Sequence, residues 1–368
     1  FPFHRRIASA RNFGRMSRID LRSDTLTKPT QGMREAMMNA ELGDDVFSED
    51  PTINGLQDHL AQLFGFEAGL FCTSGTQANQ IAIGVHTRPG DEVICSSLAH
   101  IYLYEGGGIA QNSGCSVRLI GDNQGMFTAE EVAQNINANQ DYLPRTQLVS
   151  VEDTVNKGGG AVWNFAELTR ISTLCRSIGI PFHCDGARVF NALNVTGILP
   201  VDYGAAFDSI SICLSKGLGA PVGSVLLGSA EFIRQARRRR KSMGGGMRQA
   251  GMLAAAGLYA LYYHIDRLQE DHDRAKATEL ALSACTFVKA VMPVQTNIVI
   301  FELRNGIPAE EAVRLLAEEG VICFAFGPTK VRFVFHLDIT HDMMSPLLSA
   351  LQRVENRLIA NATTLIIQ

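Results

Sequence analysis

The chain has 368 residues, 46% hydrophobic and 19% charged, with a net charge of −4. That length is too great for one small core and predicts a large domain with a smaller one. The composition excludes a disordered chain, and the charge gives no reason to expect nucleic acid or an anionic membrane as partner. Eight cysteines (Cys72, Cys95, Cys115, Cys175, Cys184, Cys213, Cys285 and Cys323) include no CxxC pair. Most lie in apolar runs, as reduced core thiols do, which points to an intracellular, cytoplasmic protein. No stretch reaches the ~18 apolar residues of a membrane span.

Residues 1–19 hold five arginines and no acid, a composition that suits a transit peptide. Met16 nevertheless opens MSRIDLRSDT, so the stretch before it is expected to be upstream or expression-derived sequence, mostly disordered. Residues 20–50 read as an extended arm with a helix beginning near Pro29, its inner face carrying Met33, Ala36, Met37 and Ala40. RSDT (22–25) is too polar for a core. GDDVFSEDPTIN (43–54) is a turn-rich loop leading into a helix that runs to about Phe64, and Asp45 and Glu49 read first as caps.

AGLFCTSGTQANQIAIGVH (68–86) predicts a strand, a small-residue turn and an apolar helix. Gly75 and Thr76 then open a helix, where free N–H groups make an anion site. The strand in DEVICSSLAHIYLY (91–104) stops before His100, with Tyr104 one turn further on the same wall. LVSVEDTV (148–155) is another strand and carries Glu152. PFHCDGARVF (181–190) and DSISICLSKGLGAPVG (208–223) contain two short buried strands, each ending abruptly in polar residues. The first delivers Asp185 and Arg188 at its carboxyl end, the second Ser215 and Lys216. Carboxyl ends of strands are where ligands sit in an open α/β sheet. A basic run, Arg237–Lys241, precedes GGGMRQAG (244–251), and an apolar helix from Ala250 to Tyr263 leads to the second domain. There TNIVIFEL, VICFAF and KVRFVFHLDIT read as strands around the helix of 309–320, with a last helix after them. Arg332 sits mid-strand among apolar neighbours and calls for an anion, which its planar fork would grip at two points.

One chemistry uses a lysine amine and an acid together at such a place. Pyridoxal phosphate (PLP) needs an amine to form a Schiff base and an acid on its pyridine nitrogen. DGAR (185–188), LSKG (214–217), GGGMRQAG (244–251) and RSDT (22–25) resemble the low-specificity L-threonine aldolase family of fold-type I PLP enzymes, in order along nearly the whole chain from Asp20. The resemblance implies an α/β fold. Its large domain, with the N-terminal arm, would span 20–250 around a mostly parallel seven-stranded sheet, and a smaller C-terminal domain would span 251–368.

The resemblance also implies a site. Lys216 would hold PLP, Asp185 its ring nitrogen, and Gly75 and Thr76 its phosphate, with Arg188 and Ser215 also among the cofactor-binding residues. His100 would stack on the ring and serve as candidate base, directly or through water. Arg332 would hold the amino-acid carboxylate with help from Arg188 or Ser23, and Tyr104 and Tyr142 would line the substrate, Tyr142 in place of a second family histidine. Lys241 and Arg248 would come near the cofactor phosphate or the rest of the site, partly across a subunit boundary, in a homodimer or homotetramer with sites at the interface. No metal is expected. EDTVN (152–156) stands where the family reads ENTHN, a departure at the substrate-hydroxyl contacts. Cleavage of L-threonine or L-allo-threonine to glycine and an aldehyde is the expected activity. The alternatives are a β-eliminating lyase or an aminotransferase on the same scaffold, or a PLP-binding protein without catalysis.

Overall fold

The structure, a computed structural model, describes residues 18–304 and 306–366. The expectation for the residues before Met16 lies outside that range. Short runs rich in Val, Ile, Leu and Phe form a seven-stranded sheet. Its spatial order is Ala68–Cys72, Ser224–Gly228, Ser209–Cys213, Phe182–Gly186, Thr146–Glu152, Glu92–Ser96 and Ser116–Ile120. Only Ser224–Gly228 runs against the others, pairing antiparallel on both sides. The mostly parallel large sheet expected from the sequence is therefore present.

Both faces of this sheet are covered, which is why its strands are continuously apolar. Side chains alternate between the faces. Leu70, Cys72 and Leu226 pack toward the helices Gly75–His86 and Ala230–Ser242, while Phe71, Val225 and Leu227 join the larger core on the other side. All eight cysteines are buried and unpaired. Among the described residues no helix is long and apolar enough to cross a membrane.

Helix Gly251–Tyr263 belongs with this large core, not with the second domain as the division at 250 implied. Its Ala254, Ala256 and Ala260 lie in the larger cluster, and it packs on Gln31–Met38 and Pro51–Phe64. The cause is its small-residue face. A Cβ at Gly257 would meet Leu214 Cδ1 at 2.8 Å and Leu56 Cδ2 at 3.1 Å, so only glycine permits that approach. The second core takes over within helix Leu268–Ala284, from Ala275 onward.

That second core surrounds a four-stranded antiparallel sheet ordered Phe324–Ala325, Lys330–Val334, Ile298–Leu303 and Val288–Val291. VICFAF, read as one strand, divides at Cys323 because the N-terminal arm claims its first half. Ile19–Asp20 pairs in parallel with Val321–Ile322, while Phe324–Ala325 pairs with Lys330–Val334. The strand expected over 330–340 stops at Val334, and a turn closed by Ile339 N–H on His336 C=O follows.

The arm is thus pinned to the small domain. Ile19 and Leu21 lie in its core, and the Leu21 backbone bonds Ile322 O at 2.8 Å and Val334 N at 2.9 Å. The next residues, Ser23 and Asp24, reach the cleft between the domains. Leu21→Ala should cost about 2–5 kcal/mol by urea unfolding. A cost under about 1 kcal/mol would show that the arm is not anchored there.

Candidate active site

Three neighbouring parallel strands end side by side. Glu152 pairs in register with Asp185, and Asp185 with Ser211, so the polar residues that follow each strand emerge on one edge facing the small domain. Lys216 follows the third strand, which ends at Cys213. It lines two adjoining cavities. The inner one, about 180 Å³, is also lined by Gly75, Thr76, Asn79, Asp185 and Ser215. The outer one, about 370 Å³, is lined by Ser23, His100, Tyr104, Arg188 and Arg332 among others.

The inner cavity has a basic group, an acid and an anion cradle. Helix Gly75–His86 starts at its wall, with Ser74 as cap accepting from Gln77 N–H. The first-turn N–H groups of Gly75 and Thr76 have no partner within the helix and carry its positive end. Asp185 is buried; it accepts Ala187 N–H at 3.2 Å and Asn79 Nδ2 at 2.9 Å. Its neighbour Glu152 accepts from the N–H groups of His100 (2.8 Å) and Asn156 (3.0 Å). Burial first, and then the Asp185 charge, push Glu152 up to about 7.

His100 stands between the cavities, its Nδ1 2.9 Å from Glu105 Oε1 and its ring tilted against Tyr104 at 5.6 Å between centroids. Burial opposes charging the ring, but the Glu105 hydrogen bond and the Asp185 charge outweigh it and raise the His100 pKa. An ionised carboxylate only accepts, so Nδ1 carries a proton and Nε2 is the nitrogen left to accept one.

The outer cavity is cationic and aromatic. Arg332 donates to Asn156 Oδ1 at 3.0 Å and to the Arg22 carbonyl at 3.1 Å, but its buried Nε has no partner. Its guanidinium lies 5.0 Å from the Phe326 ring centroid. Burial and the nearby Arg188 lower the Arg332 pKa, the direction expected of a cation awaiting an anion. Arg188 itself is already engaged: its Nε and Nη2 grip Asp24 at 2.7 and 2.8 Å. Burial would raise Asp24, yet the Arg188 charge and hydrogen bonds hold it at about 2.

Lys216, Asp185, Gly75, Thr76, Ser215, His100, Arg188, Arg332, Ser23 and Tyr104 therefore all meet at these two cavities. Three expected residues do not. Tyr142 is 82% exposed, in the loop before Thr146–Glu152, at the amino end of that strand and so at the opposite edge of the sheet. Tyr142 therefore lines neither cavity of its own chain. Lys241 and Arg248 are exposed and line neither cavity; Arg248 pairs with Asp44 at 2.8 Å. Asp45 is a buried structural acid, 2.6 Å from Arg240 Nη2. Asp24, Asn79, Glu105, Asn156 and Phe326 are parts of the site that the sequence reading missed. The one signal for Asn79 is a polar residue inside an apolar helical run.

A family described as β-eliminating lyase matches residues 20–305. Low-specificity L-threonine aldolase 1 of Arabidopsis thaliana is 38% identical over 345 residues, 92% of this chain and 96% of the relative. The low specificity L-threonine aldolase of Escherichia coli K12 is 41% identical over 330 residues, 89% of this chain and 96% of the relative. The chain belongs to the low-specificity L-threonine aldolases, within the β-eliminating lyase family. The threonine aldolase of Leishmania major shares the fold, with a TM-score of 0.80 at 20% identity over 92% of this chain and 99% of that one. The likeness to these relatives extends over the arm and both domains.

The buried Asp24–Arg188 pair fixes the wall of the cleft between the domains. Asp24→Asn leaves a buried guanidinium without its counter-ion and should cost about 3–5 kcal/mol near neutral pH. Burial opposes ionisation, but the Arg188 charge and hydrogen bonds lower the Asp24 carboxyl from 3.8 in the unfolded chain to about 2 when folded. Its contribution is therefore complete above 3.8 and lost as pH falls toward 2. Urea midpoints at about pH 5 and about pH 2.5 should fall less steeply in Asp24→Asn than in the parent. Parallel slopes would contradict the pairing.

Proposed function

We propose that the protein is a PLP-dependent aldolase that cleaves L-threonine, L-allo-threonine and related β-hydroxy-α-amino acids to glycine and an aldehyde. The observation that carries this reading is Lys216 standing between an inner cavity with an acid and an anion cradle and an outer cavity with an arginine whose Nε is unpaired. The inner donor set fits PLP: an amine for the aldehyde, Asp185 for the ring nitrogen, and the Gly75 and Thr76 N–H groups with Ser215 for the phosphate. When bound, PLP supplies an electron sink for the pair released as the Cα–Cβ bond breaks.

The chain's own residues do the rest. Asp185 keeps a proton on the ring nitrogen, and its two hydrogen bonds fix the orientation of its carboxylate for that task. Arg332 grips the substrate carboxylate through its free Nε edge, beside Ser23 and Arg188. Carboxylate capture there orients Cα beside Lys216 and leaves the β-substituent toward Tyr104 and Phe326. His100 takes the β-hydroxyl proton at Nε2, directly or through one water, while Glu105 on Nδ1 stabilises the imidazolium that forms. One proton leaves the hydroxyl and one is added at Cα, so the products balance as glycine and aldehyde. This reading assigns Lys241 and Arg248, exposed and absent from their own chain's cavities, to the site of a second copy in a homodimer or homotetramer.

Lys216→Ala should abolish the visible absorbance of the PLP-loaded protein and lower aldehyde release from L-threonine by at least ~10³-fold. Unchanged cleavage in that variant would end the proposal. Arg332→Ala should raise KM for L-threonine by roughly ten- to a hundredfold with a smaller change in kcat. An unaltered KM would place the carboxylate elsewhere.

A further inference from the structure

Beneath the inner cavity lies a buried polar chain, of which the roles above use only the two acids at its end and the bond that Asn79 gives Asp185. Asn79, only 1% exposed, donates from Nδ2 to Glu105 Oε1 and to Asp185 Oδ2, both at 2.9 Å. Its Oδ1 accepts from Ser211 Oγ at 2.6 Å and faces His183 Nε2 at 3.2 Å. His183 Nδ1 is 2.8 Å from Ser209 Oγ, which is also 2.8 Å from His86 Nε2.

The donor directions follow from the ends of the chain. Two carboxylates can only accept, so the amide nitrogen of Asn79 faces them and its carbonyl faces donors. Burial lowers His183 to about 3 and His86 to about 4, so each ring is neutral and carries one N–H. One arrangement satisfies every atom: His86 donates to Ser209, Ser209 to His183, His183 to Asn79, and Asn79 to both acids. All the donors point the same way, each polarising the next toward two anions.

We propose that Asn79 is the positioning residue of this site, a single amide that ties the acid behind the PLP ring nitrogen to the acid behind His100. The inference rests on the PLP reading above. Glu105 and Asp185 offer oxygens that, with a His100 ring nitrogen, lie within 4.8 Å of one another. Two buried carboxylates so close repel, and one would take up a proton unless a shared donor stood between them. Asn79 is that donor, using one N–H on each. Gln80 Nε2 adds a bond to Glu105 Oε2 at 2.6 Å. The other charged groups acting on this cluster are Lys216 and Glu152, from the neighbouring strand ends.

Without Asn79, Asp185 would lose the bond that aims it at the ring, and the His100–Glu105 pair would hold its proton more tightly. Hydrogen bonding to the charged form of an acid lowers its pKa, so removing the donor moves protonation to higher pH. The test compares the parent with Asn79→Leu, close in shape but without the amide. It also takes Ser211→Ala, a milder change that frees the Asn79 carbonyl. PLP affinity is read by equilibrium dialysis, and the acid limb of kcat/KM for L-threonine as a function of pH.

Asn79→Leu should bind PLP about tenfold or more weakly and shift the acid limb upward by about one pH unit, with Ser211→Ala moving both the same way by less. PLP affinity and acid limb both matching the parent in a folded Asn79→Leu, or in Ser211→Ala if the first variant does not fold, would overturn the inference. A parent protein that binds no PLP would instead overturn the reading on which it rests.

Discussion

The level endings of three parallel strands set the geometry on which everything else depends. Backbone pairing fixes Glu152, Asp185 and Ser211 opposite one another, and the chain beyond the third strand then carries Lys216 to the same edge. A one-residue slip in any of these pairings would turn the acid into the apolar face of the sheet. That outcome is resisted by burial of Cys184, Ile210 and Ile212 on the opposite phase. Packing of the sheet thus places the acid beside the amine, and the site inherits the rigidity of the core.

The second constraint is the arm. Its two-residue pairing with Val321–Ile322 makes it part of the small domain, yet Asp24 at its tip binds Arg188 on the large one. Thr27 Oγ1 also donates to the Lys216 carbonyl at 3.1 Å. The arm therefore laces the two domains together across the mouth of the cleft. Arg332 approaches from the small-domain sheet and Arg188 from the large domain, so both domains contribute cations to the outer cavity.

Much of this was legible in the sequence, for a physical reason. Asp185, Arg188, Ser215 and Lys216 are polar residues placed directly after apolar strands, and such residues have few places to go other than a ligand edge. Arg332 was legible for a different reason, as a cation in mid-strand among apolar neighbours that calls for an anion. The supports were not. Asn79 lies on a helix and Glu105 in the bend between two short helices, places where a polar residue usually faces solvent, and only the fold brings them under the strand ends. Asp24 looked like part of a polar arm, whereas it is fully buried against Arg188. VICFAF carried a uniform apolar signal and gave no hint that its halves join different sheets.

The central claim is that the Lys216 amine is the covalent anchor of the cofactor. Borohydride reduction of the PLP-loaded protein, followed by proteolysis and mass spectrometry, tests it most directly. The account predicts a pyridoxyl adduct on the peptide carrying Lys216. An adduct on a different lysine, or none in a protein that still cleaves threonine, would contradict it.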